Sequence, residues 1–359
     1  WAMNRRPLPT TMRPSHPMIE PPARILAFVP NWLGDVAMAT PALRALARRF
    51  PDSPLIAVGR RSACELLHGL PWLHATVPVP ARPGPRDMLA LRGTLAGRSA
   101  TLAVVFPHSF RAALLARLTG ARTRLGYARN GRAWLLTHKA LPHRENGVIV
   151  PVYMAAEYLD LVAAAGCEDD GEGLELAADA ATLTCLRARL DGDGPLVAVA
   201  PGAAFGPSKR WPAERYAAVI DALHNEARVR VVLLTGPGEE DTRDAVLSAA
   251  RHAPIIADDG RPTINTLKAT LALADLLIGN DSGPRHVAIA FKKPVICIMG
   301  PTSPRYSTGP YETGEVLRVD VDCGPCQKPE CETDFRCMTR IAPGAVVAAA
   351  LRHLPAARA

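Results

Sequence analysis

Four short stretches carry residues whose types and spacing could do chemistry. In PNWLGD (30–35) a carboxylate, Asp35, follows an apolar run. Burying a carboxylate is costly. One kept there either caps a short helical turn or stands at the mouth of a cleft as a general base, taking a proton from a hydroxyl. Gly34 beside it would let the backbone approach a ligand closely. Thr40-Pro41 reads as an N-cap followed by proline at the first helical position, so the regular helix is predicted to begin there, with Asp35 in the turn before it. PGAAFGPSKRWP (201–212) is a glycine-bearing loop with Lys209 and Arg210, leading into a helix near Pro212. Free backbone N–H groups and a lysine suit phosphate oxygens, and an ordinary basic turn would look the same. LLTGPGEEDTRD (233–244) sets Glu239 and Glu240 just past a strand end, where a carboxylate accepts from ribose hydroxyls or caps the next helix. LLIGNDSGPRHVAIAF (276–291) places Asp281, Ser282, Gly283 and Pro284 where a helix begins, and a helix N-terminus suits a diphosphate. His286 would add a donor on an exposed first turn. No G-x-G-x-x-G and no GK[ST] ending occurs in these turns, which argues against a nicotinamide dehydrogenase and a Walker A site.

These turns need elements to hold them. ARILAFV, SPLIAV and TLAVVF are short apolar runs of the kind buried in parallel sheets, with helical patterns such as PALRALARRF between them. GPLVAVAPG, VRVVLLTGP, ADLLIGN and KPVICIMGP repeat the theme in the second half. Both halves read as doubly wound α/β units, with ligands expected at the carboxyl ends of the strands and a cleft between the units. The acidic stretch GCEDDGEGLELAADA (166–180) is the predicted linker. The expected organisation is an N-terminal extension (1–22), a first domain (23–175) and a second (176–359). At 359 residues and 48% hydrophobic content the chain can bury two substantial cores. The leader is rich in Pro and Arg and has no apolar h-region, so it reads as a disordered extension and not as a signal peptide. No apolar run reaches the roughly 18 residues of a spanning helix, and a cytoplasmic protein is expected.

The charge is unevenly spread. Residues 1–150 carry 21 Lys and Arg against 6 Asp and Glu; the remainder carries 21 against 28. The first half should attract anions, whether nucleic acid, a membrane surface or an acidic small molecule. No nucleic-acid recognition module or aromatic stacking pattern appears, so nucleic acid is not expected. Cys323, Cys326, Cys331 and Cys337 form C-x2-C-x4-C-x5-C, a spacing compatible with a structural metal or with free thiols packing a loop.

PNWLGDVAMATPALRALARRFP, PGAAFGPSKRWP and GNDSGPRHVAIAFKKPVICIMGPTSP together resemble the glycosyltransferase family 9 heptosyltransferases, within them the ADP-heptose:lipopolysaccharide heptosyltransferase II type. Three separated motifs in the same order carry the likeness. It implies a GT-B fold: two facing Rossmann-like domains, with acceptor on the first and nucleotide sugar on the second. It also implies a single inverting displacement that needs no metal and no cofactor beyond the donor, ADP-heptose. Asp35 would be the base, and Lys209, the amides from Ser282 to Pro284 and His286 would stabilise the departing diphosphate. Glu239 would hold the ribose, with Glu240 an alternative, and Asp281 would orient the helix-start loop or the donor sugar. The acceptor implied is the heptose and keto-deoxy-octulosonate inner core of lipopolysaccharide, for which Arg60, Arg61, Ser109, Arg111, Arg122 and Arg124 are the candidates. His108 stands where the family commonly has Asn, and Arg285 where Met is usual. A monomer in transient contact with the inner membrane is expected. A sugar-nucleotide epimerase or a non-catalytic nucleotide-sugar binder would share the fold.

Overall fold

The computed structural model describes residues 19–95 and 101–355, so residues 1–18 of the expected extension lie outside the described residues. Within residues 19–22, Ile19 and Pro22 depart from that expectation because they are buried, while Glu20 and Pro21 are exposed. Ile19 is buried, and the Pro22 carbonyl accepts from Ser53 Oγ at 2.5 Å.

The first half holds six parallel strands, β1 (Arg24–Phe28), β2 (Leu55–Gly59), β3 (Ala75–Pro78), β4 (Thr101–Val105), β5 (Thr123–Tyr127) and β6 (His138–Ala140), in the order β3-β2-β1-β4-β5-β6. A small antiparallel hairpin, β7 (Arg144–Glu145) and β8 (Val148–Ile149), follows. The second half holds five parallel strands, β9 (Leu196–Ala200), β10 (Arg230–Leu233), β11 (Leu276–Asn280), β12 (Val295–Ile298) and β13 (Gly314–Leu317), in the order β10-β9-β11-β12-β13. The central runs TLAVV, LVAVA and LLIGN are buried at every residue because helices cover both sheet faces. Strands β3, β6 and β13 are short, half-polar and at sheet edges, and they escaped the apolar-run criterion.

Helices α1 (Leu33–Met38), α2 (Thr40–Arg49), α3 (Arg61–Leu67), α4 (Pro85–Leu95), α5 (Phe110–Leu118) and α6 (Met154–Ala163) flank the first sheet. The second half adds α7 (Ala180–Arg189), α8 (Ala213–Ala227), α9 (Glu240–Ala249), α10 (Ile264–Leu273), α11 (Gly283–Ala290), α12 (Pro304–Ser307), α13 (Arg336–Thr339) and α14 (Pro343–His353). Regular helix therefore begins at Leu33, ahead of the predicted Thr40, and Asp35 lies in the first turn of α1 and not in a loop. Thr40 is not a cap. The chain pauses at Ala39, and the Thr40 hydroxyl donates to the Ala37 carbonyl (2.7 Å) while accepting from the Glu175 amide (3.0 Å).

One apolar cluster runs without a break from Ile25, Val36 and Leu43 to Val287, Val295 and Met299, so the two halves share a core. At their junction α1 meets α11, each starting at the carboxyl edge of its own sheet. A Cβ on Gly34 would fall 2.7 Å from His286 Cδ2, and one on Gly283 would fall 3.1 Å from Leu33 Cβ. The glycine of PNWLGD thus admits the facing half of the protein while also lining the space between the halves. The 167–179 stretch is irregular and is pinned to α2. Arg44 donates through Nε and Nη2 to the two oxygens of Asp170, both at 2.7 Å, and through Nη1 to Glu175 at 3.0 Å.

A second tie is Lys268 of α10, fully buried, whose ammonium donates to the carbonyls of Glu65, Leu66 and His68 at the end of α3, at 3.0–3.3 Å. Cations suit a helix C-terminus; burial nevertheless brings this ammonium down to about 8. Lys268→Met removes the donor from three carbonyls across the junction, and urea unfolding should show a loss of about 1–3 kcal/mol.

Candidate functional site

The carboxyl ends of β1, β9, β10 and β11 open onto one cavity of about 970 Å³ between the halves, a size suited to a nucleotide sugar. Gly34, Asp35, Lys209, Glu239, Asp281, Ser282, Gly283, Pro284 and His286 all line it. These nine positions come from segments as far apart as 34 and 286, brought together because every one follows or opens from a strand's carboxyl end.

Asp35 is half-buried, and among the described residues no donor reaches its carboxylate. Burial pushes it up to about 6; the nearby Lys209 ammonium opposes the rise, and Asp281 and Glu157 add to it. A carboxylate with this affinity for protons and no fixed partner is suited to accept one from a hydroxyl.

Opposite it, Lys209 sits in a short 3₁₀ turn, Pro207–Lys209, and donates to both the backbone carbonyl (2.8 Å) and Oδ2 (2.9 Å) of Asp281. Two of three ammonium protons are thus taken and one remains for a ligand. The ammonium also stands 5.0 Å from the centre of the Phe205 ring. The turn is supported from behind by residues of the cysteine loop: Ser208 donates through Oγ to the Lys328 carbonyl (2.6 Å) and through N to the Pro329 carbonyl (3.0 Å). From the same loop Gln327 reaches the cavity wall.

Asp281 is a hub. Its Oδ1 accepts from Arg285 Nη1 (2.8 Å) and its Oδ2 from Lys209 and from the Thr302 hydroxyl (2.6 Å). Burial would raise its affinity for protons, yet Lys209, Arg285 and Thr302 together hold it far below the ordinary carboxylate range. Both its oxygens are engaged within the protein, by groups of the β9 loop, α11 and the loop after β12. Arg285 is completely buried and closes the far side with two parallel bonds to Glu312, Nε to Oε1 at 2.7 Å and Nη2 to Oε2 at 2.6 Å. Ser307 and Thr308 hydroxyls take its remaining directions.

Two details of the helix start differ from expectation. Pro284 has no N–H, so the amides available there are those of Ser282 and Gly283. His286 is buried rather than exposed, and burial with the Arg285 charge beside it lowers its imidazole to about 3. It is neutral and adds no positive charge. Its Nδ1 and Ser282 Oγ are buried without partners. Glu239 lines the cavity and accepts from the Gly236 amide through Oε2 at 2.7 Å; Glu240 is turned to the Gly238 amide and does not line it.

None of the six acceptor candidates lines the cavity. Arg122 and Arg124 sit at the amino end of β5, the wrong edge of a parallel sheet for this cleft, and Arg124 is spent on the carbonyls of Leu135 (2.7 Å) and Ala121 (2.6 Å). Ser109 caps α5 by accepting from the Ala112 amide, and Arg111 reaches the Ala81 carbonyl. Arg60 and Arg61 are exposed at the start of α3. The acidic cavity-lining residue of the first half that the motifs did not single out is Glu65 of α3; Glu157 of α6, which does not line the cavity, lies 3.0 Å from His108 Nε2 and 3.7 Å from Arg129 Nη1. The sequence reading also passed over Asn280, whose side chain ties the 201–202 carbonyls to Trp211 and Tyr216, although Asn280 stands inside GNDSGP.

Among the described residues no group of three His, Cys, Asp or Glu side chains is placed to hold a metal ion. The cysteines of the 323–337 loop are in no disulfide; the thiols of Cys323 and Cys331 both lie against the Thr333 hydroxyl, at 3.9 and 3.5 Å.

Comparison with known proteins decides the family. Residues 88–335 match the model of glycosyltransferase family 9 (heptosyltransferase). The chain belongs to that family. It is 26% identical over 308 residues to lipopolysaccharide heptosyltransferase 2 of Escherichia coli K12, covering 82% of this chain and 88% of the relative. The structure of E. coli ADP-heptose lipopolysaccharide heptosyltransferase II superposes with a TM-score of 0.71 at 23% identity, over 92% of this chain and 98% of that one. A family 9 glycosyltransferase from Veillonella parvula superposes at 0.78, with 23% identity over 93% and 97% of the two chains. The expected GT-B architecture is therefore the fold of this heptosyltransferase-family chain.

Arg285, where the resemblance leads one to expect Met, is accommodated because Glu312 and Asp281 both point at it. Arg285→Met leaves two buried carboxylates short of a partner and should cost about 3–5 kcal/mol in urea unfolding. The double variant Arg285→Met/Glu312→Leu should regain part of that loss, since the two positions share one ion pair.

Proposed function

We propose that this protein transfers heptose from ADP-heptose to the heptose and keto-deoxy-octulosonate inner core of lipopolysaccharide in one inverting displacement. The observation that carries the reading is the opposition of Asp35, unpaired and proton-hungry, to Lys209 and the α11 N-terminus across a single cavity. Asp35 takes the proton of an acceptor heptose hydroxyl as that oxygen bonds to the anomeric carbon. The bond from that carbon to the ADP oxygen breaks, and the electron pair leaves with ADP. Lys209 meets the departing phosphate with its remaining proton, and the amides of Ser282 and Gly283 add preorganised donors. His286 contributes shape and one neutral ring, packed on Gly34. Glu239 accepts from the ribose.

The acceptor belongs to the first half, whose cavity wall includes Asn31, Trp32, Ser62, Glu65 and Met154. Arg60 and Arg61 stand at the start of the helix that supplies Ser62 and Glu65, and they are the arginines of the expected set best placed to meet an anionic saccharide there. The work is done at the cytoplasmic face of the inner membrane by a monomer, with the division between acceptor and donor domains near residue 175. Among the described residues no helix is long and apolar enough to cross a membrane.

The test is ADP release from ADP-heptose with and without a heptose-bearing lipid A acceptor. Acceptor-dependent release supports transfer; acceptor-independent turnover would mark an epimerase-like enzyme, and binding without turnover a nucleotide-sugar binder. Asp35→Ala should lower kcat by about 10²-fold or more while leaving donor binding intact. In the parent, kcat/KM should rise with pH and level off above about 6, because the carboxylate must be ionised to accept the proton. A rate independent of pH between 5 and 7 would remove Asp35 from the proton transfer.

A further inference from the structure

The connections that leave the carboxyl ends of β4, β5 and β6, adjacent strands at one edge of the first sheet, expose large apolar side chains. They are Phe110 (43% exposed), Trp134 (65%), Leu141 (78%), Val148 (67%) and Ile149 (37%). Scattered apolar residues at a surface need no explanation, but several on one rim do.

The rim is held in place. The Phe110 and Trp134 rings lie 6.0 Å apart at 51°. The 129–135 connection is tied down by the fully buried Arg132, which donates to the Pro107 and Ser109 carbonyls, and by Asn130, which donates to the His108 carbonyl at 2.9 Å. Leu141 directly follows β6, whose last carbonyl, that of Ala140, accepts from the Ala128 amide at 2.8 Å. The hairpin bearing Val148 and Ile149 reaches the other half through Glu145, 3.4 Å from Arg305; next to Arg305, Tyr306 lines the cavity. The apolar tips thus stand on braced loops that lead to the cavity's edge.

Their surroundings are basic. Residues 101–150 carry eight Lys and Arg and one acidic residue, Glu145. Arg111 follows Phe110, and Lys139 and Arg144 flank Leu141, all three exposed. Aromatic rings and aliphatic tips set among cations match the boundary layer of an anionic bilayer, where rings sit at headgroup depth and cations meet lipid phosphates. A protein partner would call for a continuous groove or patch, whereas here cations interrupt the apolar residues.

We propose that this rim docks the protein on an anionic membrane surface, bringing the acceptor side of the cavity to the headgroup layer. The proposal rests on the reading of the acceptor as a lipid-anchored saccharide. The full chain is sedimented with vesicles of phosphatidylglycerol and phosphatidylethanolamine, and with phosphatidylcholine vesicles, as parent and as Phe110→Ser/Trp134→Ser and Val148→Ser/Ile149→Ser, each checked for native circular dichroism. The parent should bind the anionic vesicles, less at high salt, and each double variant should lose about tenfold or more of that binding. Turnover on acceptor embedded in vesicles should fall in parallel, while kcat/KM on a de-acylated, water-soluble acceptor stays at the parent value. Undiminished vesicle binding by both variants overturns the proposal. So does a matching loss on the soluble acceptor, which would assign these residues to saccharide binding. A parent that binds vesicles through the rim yet transfers nothing to the soluble acceptor would refute the transfer reading and leave the docking surface standing.

Discussion

The structure depends on a line of buried charge that runs Glu312, Arg285, Asp281, Lys209, with contacts of 2.6 to 2.9 Å along it. Isolated, each of these groups would be expensive to bury. Together they alternate in sign and fill one another's hydrogen-bonding directions, with Thr302, Ser307 and Thr308 taking the remainder. The result fixes Lys209, which belongs to the loop after β9, against the start of α11, which follows β11. Two strand-end turns that have no covalent reason to hold one geometry are thereby locked into a single cavity wall. Lys209 is not a loose cation waiting for phosphate; it is held, with one proton left over.

The facing wall obeys a different rule. Asp35 is kept without a partner, and the price is a raised proton affinity. This contrast between two aspartates in one cavity, one stripped of basicity by Lys209 and Arg285 and the other made more basic by burial, separates a carboxylate held by its partners from one without a partner. The separation requires that α1 and α11 approach closely without their charged groups touching, and Gly34 and Gly283 supply the closeness.

The excess of positive charge in the first half has a more mixed meaning than its count suggests. Arg44 is consumed by Asp170 and Glu175, and Arg124 and Arg132 by backbone carbonyls. These arginines hold loops and the linker in place and present little field to solvent. The basic groups that do face outward include Arg60 and Arg61 at the start of α3, Arg111, Lys139 and Arg144 on the connections after β4 and β6, and Arg48, Arg82, Arg86 and Arg92 on or beside α2 and α4.

The positions at the strand ends were legible in the sequence. Apolar runs bounded by glycine, proline and acidic turns read as buried strands, and the carboxyl ends of parallel strands are where ligands are expected, so Asp35, Lys209, Glu239 and the 281–286 turn could be named as cavity-lining before any coordinate. The family likeness came from the same residues. What no local pattern contains is the partner of each group. Whether His286 is exposed and charged or buried and neutral depends on the half of the protein that packs against it. Whether Arg124 steers a substrate or braces a strand depends on which end of β5 it occupies. That Arg285 is tolerable at all depends on Glu312, 27 positions away in the chain and bonded to it in space. Electrostatic cost is set by everything within a few ångströms of a group, and only the folded chain decides what that is.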